Sequence, residues 1–221
     1  MLEKMSKKEK IEYVIKFLKK RLHPRGVPFY VILATIFALS VIFSSNLFAT
    51  SRIKAELPNE FVSARREAAR VSKDIVQLTG SANNRIREID LDDVREQNQD
   101  TLGTIRIAKQ ENGWAYSYAI DLSRYLQDMT ESLIGIPSAN TQRMAYEAIA
   151  VELSLVSEFI IYTQNLNEFL ESLERSYEKG STVEEQDTIE KEIGEVNENT
   201  KTINKLNKEF LAKMKLFDKS R

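Results

Sequence analysis

Nine positions between Ile105 and Leu133 recur at steps of three and four without a break: Ile105, Ala108, Asn112, Ala115, Ala119, Leu122, Leu126, Met129 and Leu133. That spacing lines side chains along one face of an α-helix, and it predicts a long helix with one buried stripe. The stretch "TIRIAKQENGWAYSYAI" also carries a strand-like alternation. Ile105 and Ile107 alternate on one arm, Trp114, Tyr116 and Tyr118 on the other, and Asn112-Gly113 could form the turn of a hairpin. Two short arms would make only an isolated hairpin, whereas the helical series is continuous, so helix is the expectation. The alanines at its centre would let a partner helix approach closely.

Three further seams have the same period. Phe61, Ala64, Ala68, Val71, Ile75 and Leu78 mark one helix, with Pro58 in its first turn, where a missing N–H costs nothing. Gly80 is expected to stop that helix and Ser81 to cap the next, which Ile86, Ile89 and Val94 would open, with "DLDD" as a kink or restart. Pro137 cannot continue a helix, and Ser138 or Asn140 can cap the one that follows. Its seam is Ala148, Glu152, Leu155, Phe159, Tyr162, Leu166, Phe169, Leu173 and Ser176, closed by Gly180. Ser181 or Thr182 with Glu184 or Glu185 reads as a capping box for a last helix. That helix carries Ile189, Ile193, Val196, Thr200, Ile203, Phe210, Met214 and Phe217, and the basic Lys213, Lys215, Lys219 and Arg221 suit its negative end. Only 7 Gly and 4 Pro occur in 221 residues, too few breakers for a fold built on many turns. Short connections make successive helices antiparallel neighbours.

A different kind of segment precedes these helices. Between Arg25 and Arg52 no residue is charged, and Pro28 to Thr50 would span roughly 34 Å as a helix at about 1.5 Å per residue. A hydrocarbon core is about 30 Å thick, and the apolar region of a cleaved signal is usually only about 7–15 residues. Leu47 is also too large for the −3 position of a cleavage site after Ala49. A buried core helix would seldom avoid charge for so long. Phe29, Tyr30 and Phe48 lie where aromatic belts form at the two interfaces. The expected fold class is therefore all-α: a single N-terminal transmembrane helix followed by an antiparallel, coiled-coil-like four-helix bundle. Its divisions are a basic amphipathic cytoplasmic segment over 1–26, the transmembrane helix over 27–50, and an extracytoplasmic helical bundle over 51–221.

Charge orients this arrangement. Residues 1–27 hold nine basic and three acidic side chains, a balance of +6, and the rest of the chain holds 23 basic and 30 acidic, a balance of −7. Lys16, Lys19, Lys20, Arg21 and Arg25 precede the span, and Arg52, Lys54 and Arg65 are the nearest basic residues after it. The positive-inside rule puts the N-terminus in the cytoplasm at the plasma membrane, body outside. Ile11, Val14, Ile15, Leu18 and Leu22 share one helix face, as in a short helix lying on anionic lipid. Ala34 and Ala38, and Ser40 and Ser44, are small pairs four apart that could form a transmembrane pairing face.

Chemistry is sparse. There is no Cys, and the single His, His23, sits beside Pro24 in the basic segment, so neither thiolate chemistry nor a His-based triad can be built in the body. Gly103 and Gly113 stand alone, without phosphate-loop spacing. The acidic run "VEEQDTIEKEIGEVNEN" reads as a solvated helix face. No cofactor, metal or catalytic residue is expected, no small-molecule substrate is implied, and no basic stripe with interleaved aromatics suggests nucleic acid. Trp114, Tyr118 and Tyr125 share a face distinct from the alanine seam; they either pack beneath a neighbouring helix or bind a partner. The expected function is a non-enzymatic, membrane-anchored scaffold or accessory subunit of a membrane-associated assembly. It would contact membrane lipid and other membrane or extracytoplasmic proteins, or a second copy of itself. Ligand sensing by the bundle is the rival, as is a secreted bundle after signal cleavage.

Overall fold

A computed structural model describes residues 57–88, 98–179 and 183–219. Four long helices make up nearly all of it: α1 (Asn59–Glu88), α2 (Asn98–Ser132), α3 (Ala139–Lys179) and α4 (Val183–Lys219). Among the described residues there is no strand, so Asn112-Gly113 lies inside α2 and the hairpin reading is set aside. No described helix is long and apolar enough to cross a membrane. The segment 27–50, with Ala34, Ala38, Ser40 and Ser44, falls outside the described residues.

Each helix forms where its period places it. Every position of the α2 series from Ile105 to Leu133 is buried, and so is every position of the α3 series from Ala148 to Ser176. In α1, Phe61, Ala64, Ala68, Val71 and Ile75 are buried, while Leu78 packs half-buried against the core. The backbone carbonyl of Pro58 accepts the first helical bond of α1 from Val62 at 3.1 Å.

One boundary differs from expectation. Gly80 does not stop α1, and Ser81 does not cap a new helix: α1 continues to Glu88, taking Ile86 with it. The seam explains this, since Ala82 and Ile86 keep it buried beyond Gly80. Ser81 donates to Glu111 of α2 at 2.7 Å, and Arg85 bonds both oxygens of the same carboxylate at 3.2 Å. A glycine costs a helix only about 1 kcal/mol, less than this packing contributes. Ile89, Val94 and "DLDD" fall outside the described residues, as do Gly180, Ser181 and Thr182.

The α2–α3 corner is a 3-10 turn at Leu133–Gly135. A Cβ on Gly135 would lie 2.6 Å from the Pro58 ring, so only glycine permits this approach of the corner to the start of α1. Ser138 then caps α3, its hydroxyl accepting from the Thr141 amide at 3.3 Å and its carbonyl from Gln142 at 2.9 Å.

α1 packs on α2, α2 on α3, and α3 on α4. Larger side chains close α4 back onto α1. The rings of Phe61 and Phe217 are 5.9 Å apart, and the Arg65 guanidinium lies 5.8 Å from the Phe217 ring and 3.4 Å from Asp218. The start of α1 thus meets the end of α4, as an up-down-up-down order requires.

Candidate functional site

The four helices converge on a void of about 30 Å³, partly open to the surface. Ser72 of α1, Ala119 of α2, Phe159 of α3, and Ile203 and Phe210 of α4 line it. Glu152, which sits in the buried register of α3 and is 4% exposed, also lines the void. Glu152 makes no hydrogen bond or ion pair among the described residues. Burial pushes its carboxyl up to about 8, against a smaller opposing pull from Arg65. Below that pH it is a neutral acid facing an almost wholly apolar wall.

Polar contacts also cross the core away from this void. The Tyr162 hydroxyl meets Asn83 Oδ1 at 3.4 Å, and Asn112 Nδ2 donates to the Thr163 carbonyl at 2.7 Å. Burial raises the Tyr162 hydroxyl well above its ordinary value, so it remains a neutral donor. Between α3 and α4, Ser172 donates to Glu192 at 2.9 Å, while the other Glu192 oxygen is buried without a partner. Burial raises this carboxyl as well. Such contacts align helices, because a slipped register would leave buried polar atoms unsatisfied.

The aromatic residues singled out from the sequence divide between core and surface. Tyr118 and Tyr125 are half-buried and pack against the main core. Trp114 is 51% exposed. It lies three residues beyond Glu111 and four before Tyr118, so it borders the α1–α2 groove. Arg106 and Lys109 reach instead to α3, where they pair with Glu174 at 2.7 and 2.9 Å.

A second exposed face runs along α3. Tyr146 and Ile161 are each 44% exposed and Leu153 is 38% exposed. Between Glu147 and Glu168 every exposed residue of α3 is uncharged, in a chain that is 29% charged. The i, i+7 step from Tyr146 to Leu153 signalled this face in the sequence, and so did the position of Glu152 in the seam register. Among the described residues no group of three or more His, Cys, Asp or Glu side chains could hold a metal ion.

Comparison of the chain with protein-family models, curated proteins and solved structures finds no match.

Proposed function

We propose that this chain is a non-enzymatic, membrane-anchored helical bundle that acts as a scaffold or accessory subunit through protein–protein contacts. The observation that carries the reading is the uncharged, outward stretch of α3 between Glu147 and Glu168, where Leu153 and Ile161 stand exposed on one rigid helix. Large side chains on a rigid helix lose little entropy when they dock, so a few of them can dominate an interface. Trp114 borders a separate groove between α1 and α2, and two such faces suit a protein that bridges partners.

The anchor in this proposal rests on the uncharged run over residues 27–50 and the +6 balance before it. A retained, N-in span would leave a protected fragment of about 50 residues after protease treatment of intact cells. A mature N-terminus after Ala49 would remove the anchor from the proposal.

The contact reading is tested by co-purification from mild detergent with full-length Leu153→Glu and Ile161→Glu. Both positions are exposed, so helicity should be kept while a specific partner is lost. Retention of every partner by both variants would sink the α3 face as an interface.

A further inference from the structure

We infer that the void between the four helices binds a short alkylammonium ion, with its charged head on Glu152 and its hydrocarbon end against Phe159, Ile203 and Phe210. This does not rest on the scaffold reading. Two observations lead to it. The first is the void itself, about 30 Å³, which is roughly two water-sized positions. The second is Glu152, which lines the void, is almost wholly buried and has no hydrogen-bond or ion-pair partner among the described residues.

The wall selects the ligand class. Apart from Glu152 and the Ser72 hydroxyl, the side chains around the void are apolar. A hard metal cation needs several oxygen ligands, and one carboxylate with one hydroxyl cannot replace its water shell. An alkylammonium ion needs only one or two acceptors at its head and gains from burying its carbons. The volume limits the body to about two or three heavy atoms, as in methylammonium or ethylammonium. At that size even efficient binding gives a dissociation constant in the millimolar range.

Binding is coupled to pH. Glu152 must release its proton to solvent for the ion pair to form, and burial holds that proton up to about pH 8. Arg65 on α1 is the charge that acts on this carboxyl, in the opposite direction, and the side chains that α2 and α4 contribute to the wall carry no titratable group. Affinity for an ammonium ion that stays charged throughout should therefore be at least about tenfold weaker at pH 6 than at pH 8.

The test titrates the full-length chain in neutral detergent micelles with ethylammonium chloride, ethanol and sodium chloride, followed by ligand-observed NMR and by thermal unfolding. Saturable binding of ethylammonium at pH 8, loss of it at pH 6, and no matching effect of ethanol or sodium are expected. Glu152→Gln should remove the ethylammonium response while keeping the helices. The inference is overturned by equal effects of ethanol and ethylammonium, by affinity that does not change with pH, by unchanged binding in Glu152→Gln, or by no saturable signal. If the variant fails to fold, the pH and ethanol comparisons on the unaltered chain still decide.

Discussion

Ala115 and Ala119 lie one turn apart on α2, both fully buried, yet the core around them is built in two different ways. Ala115 belongs to the continuous core and does not border the void. Ala119 borders it, near a buried acid and three phenylalanine or isoleucine side chains from α3 and α4. In the first setting a small side chain sets how closely helices approach. In the second, the side chains of four helices together do not quite fill the space, and the remainder is left around Glu152. A seam read along one helix describes the first setting fully and the second hardly at all.

The largest test of this contrast is pH. The folded chain holds the Glu152 proton up to about pH 8, whereas an unfolded chain loses it near the ordinary value of 4.5. Stability from this group is therefore complete below about pH 4.5 and declines as pH rises to about 8. At about 1.4 kcal/mol per unit, the decline corresponds to roughly 3–5 kcal/mol over that window. Glu192 is shifted in the same direction by burial and adds to the slope. Urea unfolding of the bundle at pH 5 and pH 8 measures the difference, and Glu152→Gln should remove the larger part of it. Equal stability at the two values would mean that water reaches the carboxyl freely and that the void is not the apolar environment described above.

The seams were legible in the sequence because each depends on spacing along one chain. The α2 and α3 series were readable to the last residue, Asn112, Glu152 and Ser176 included. Gly80 was misread because its effect depends on what lies opposite. Ala82, Ile86 and the pairing of Ser81 and Arg85 with Glu111 carry the helix through it. The candidate site was only half legible. Glu152 stood in a core register, but the void beside it is the sum of side-chain sizes on four helices, and no local pattern encodes that sum. The aromatic cluster likewise shared one face, but which rings that face would cover depended on where α1 came to rest.

A smaller effect sharpens the contrast between the two alanines. Replacing Ala115 with Leu inserts three carbons at a buried position that does not border this void, and it should cost about 1–3 kcal/mol. Ala119→Leu can direct part of its side chain into the void, so it should cost about 1 kcal/mol less. Paired denaturant melts of the two variants measure the gap. A greater cost at Ala119 would show that the void is not accessible from α2 and that the two levels are packed alike.

The smallest expected effect is at Trp114, where the contrast passes from core to surface. Its ring is half exposed, whereas Tyr118 and Tyr125 on the same side of α2 pack against the core. Truncating a buried aromatic costs about 3–5 kcal/mol, because transfer energy is lost and a cavity is left behind. Truncating Trp114 leaves no cavity, and only the covered part of the ring is forfeited. Trp114→Ala should therefore change stability by less than about 1 kcal/mol. The same change should weaken association with a partner by about 2 kcal/mol or more if the α1–α2 groove is a docking face. Thermal unfolding of the variant, read beside its co-purification in detergent, separates the two roles. A loss near 3 kcal/mol would place Trp114 in the core with its two tyrosine neighbours, and α3 would then carry the partner contacts alone.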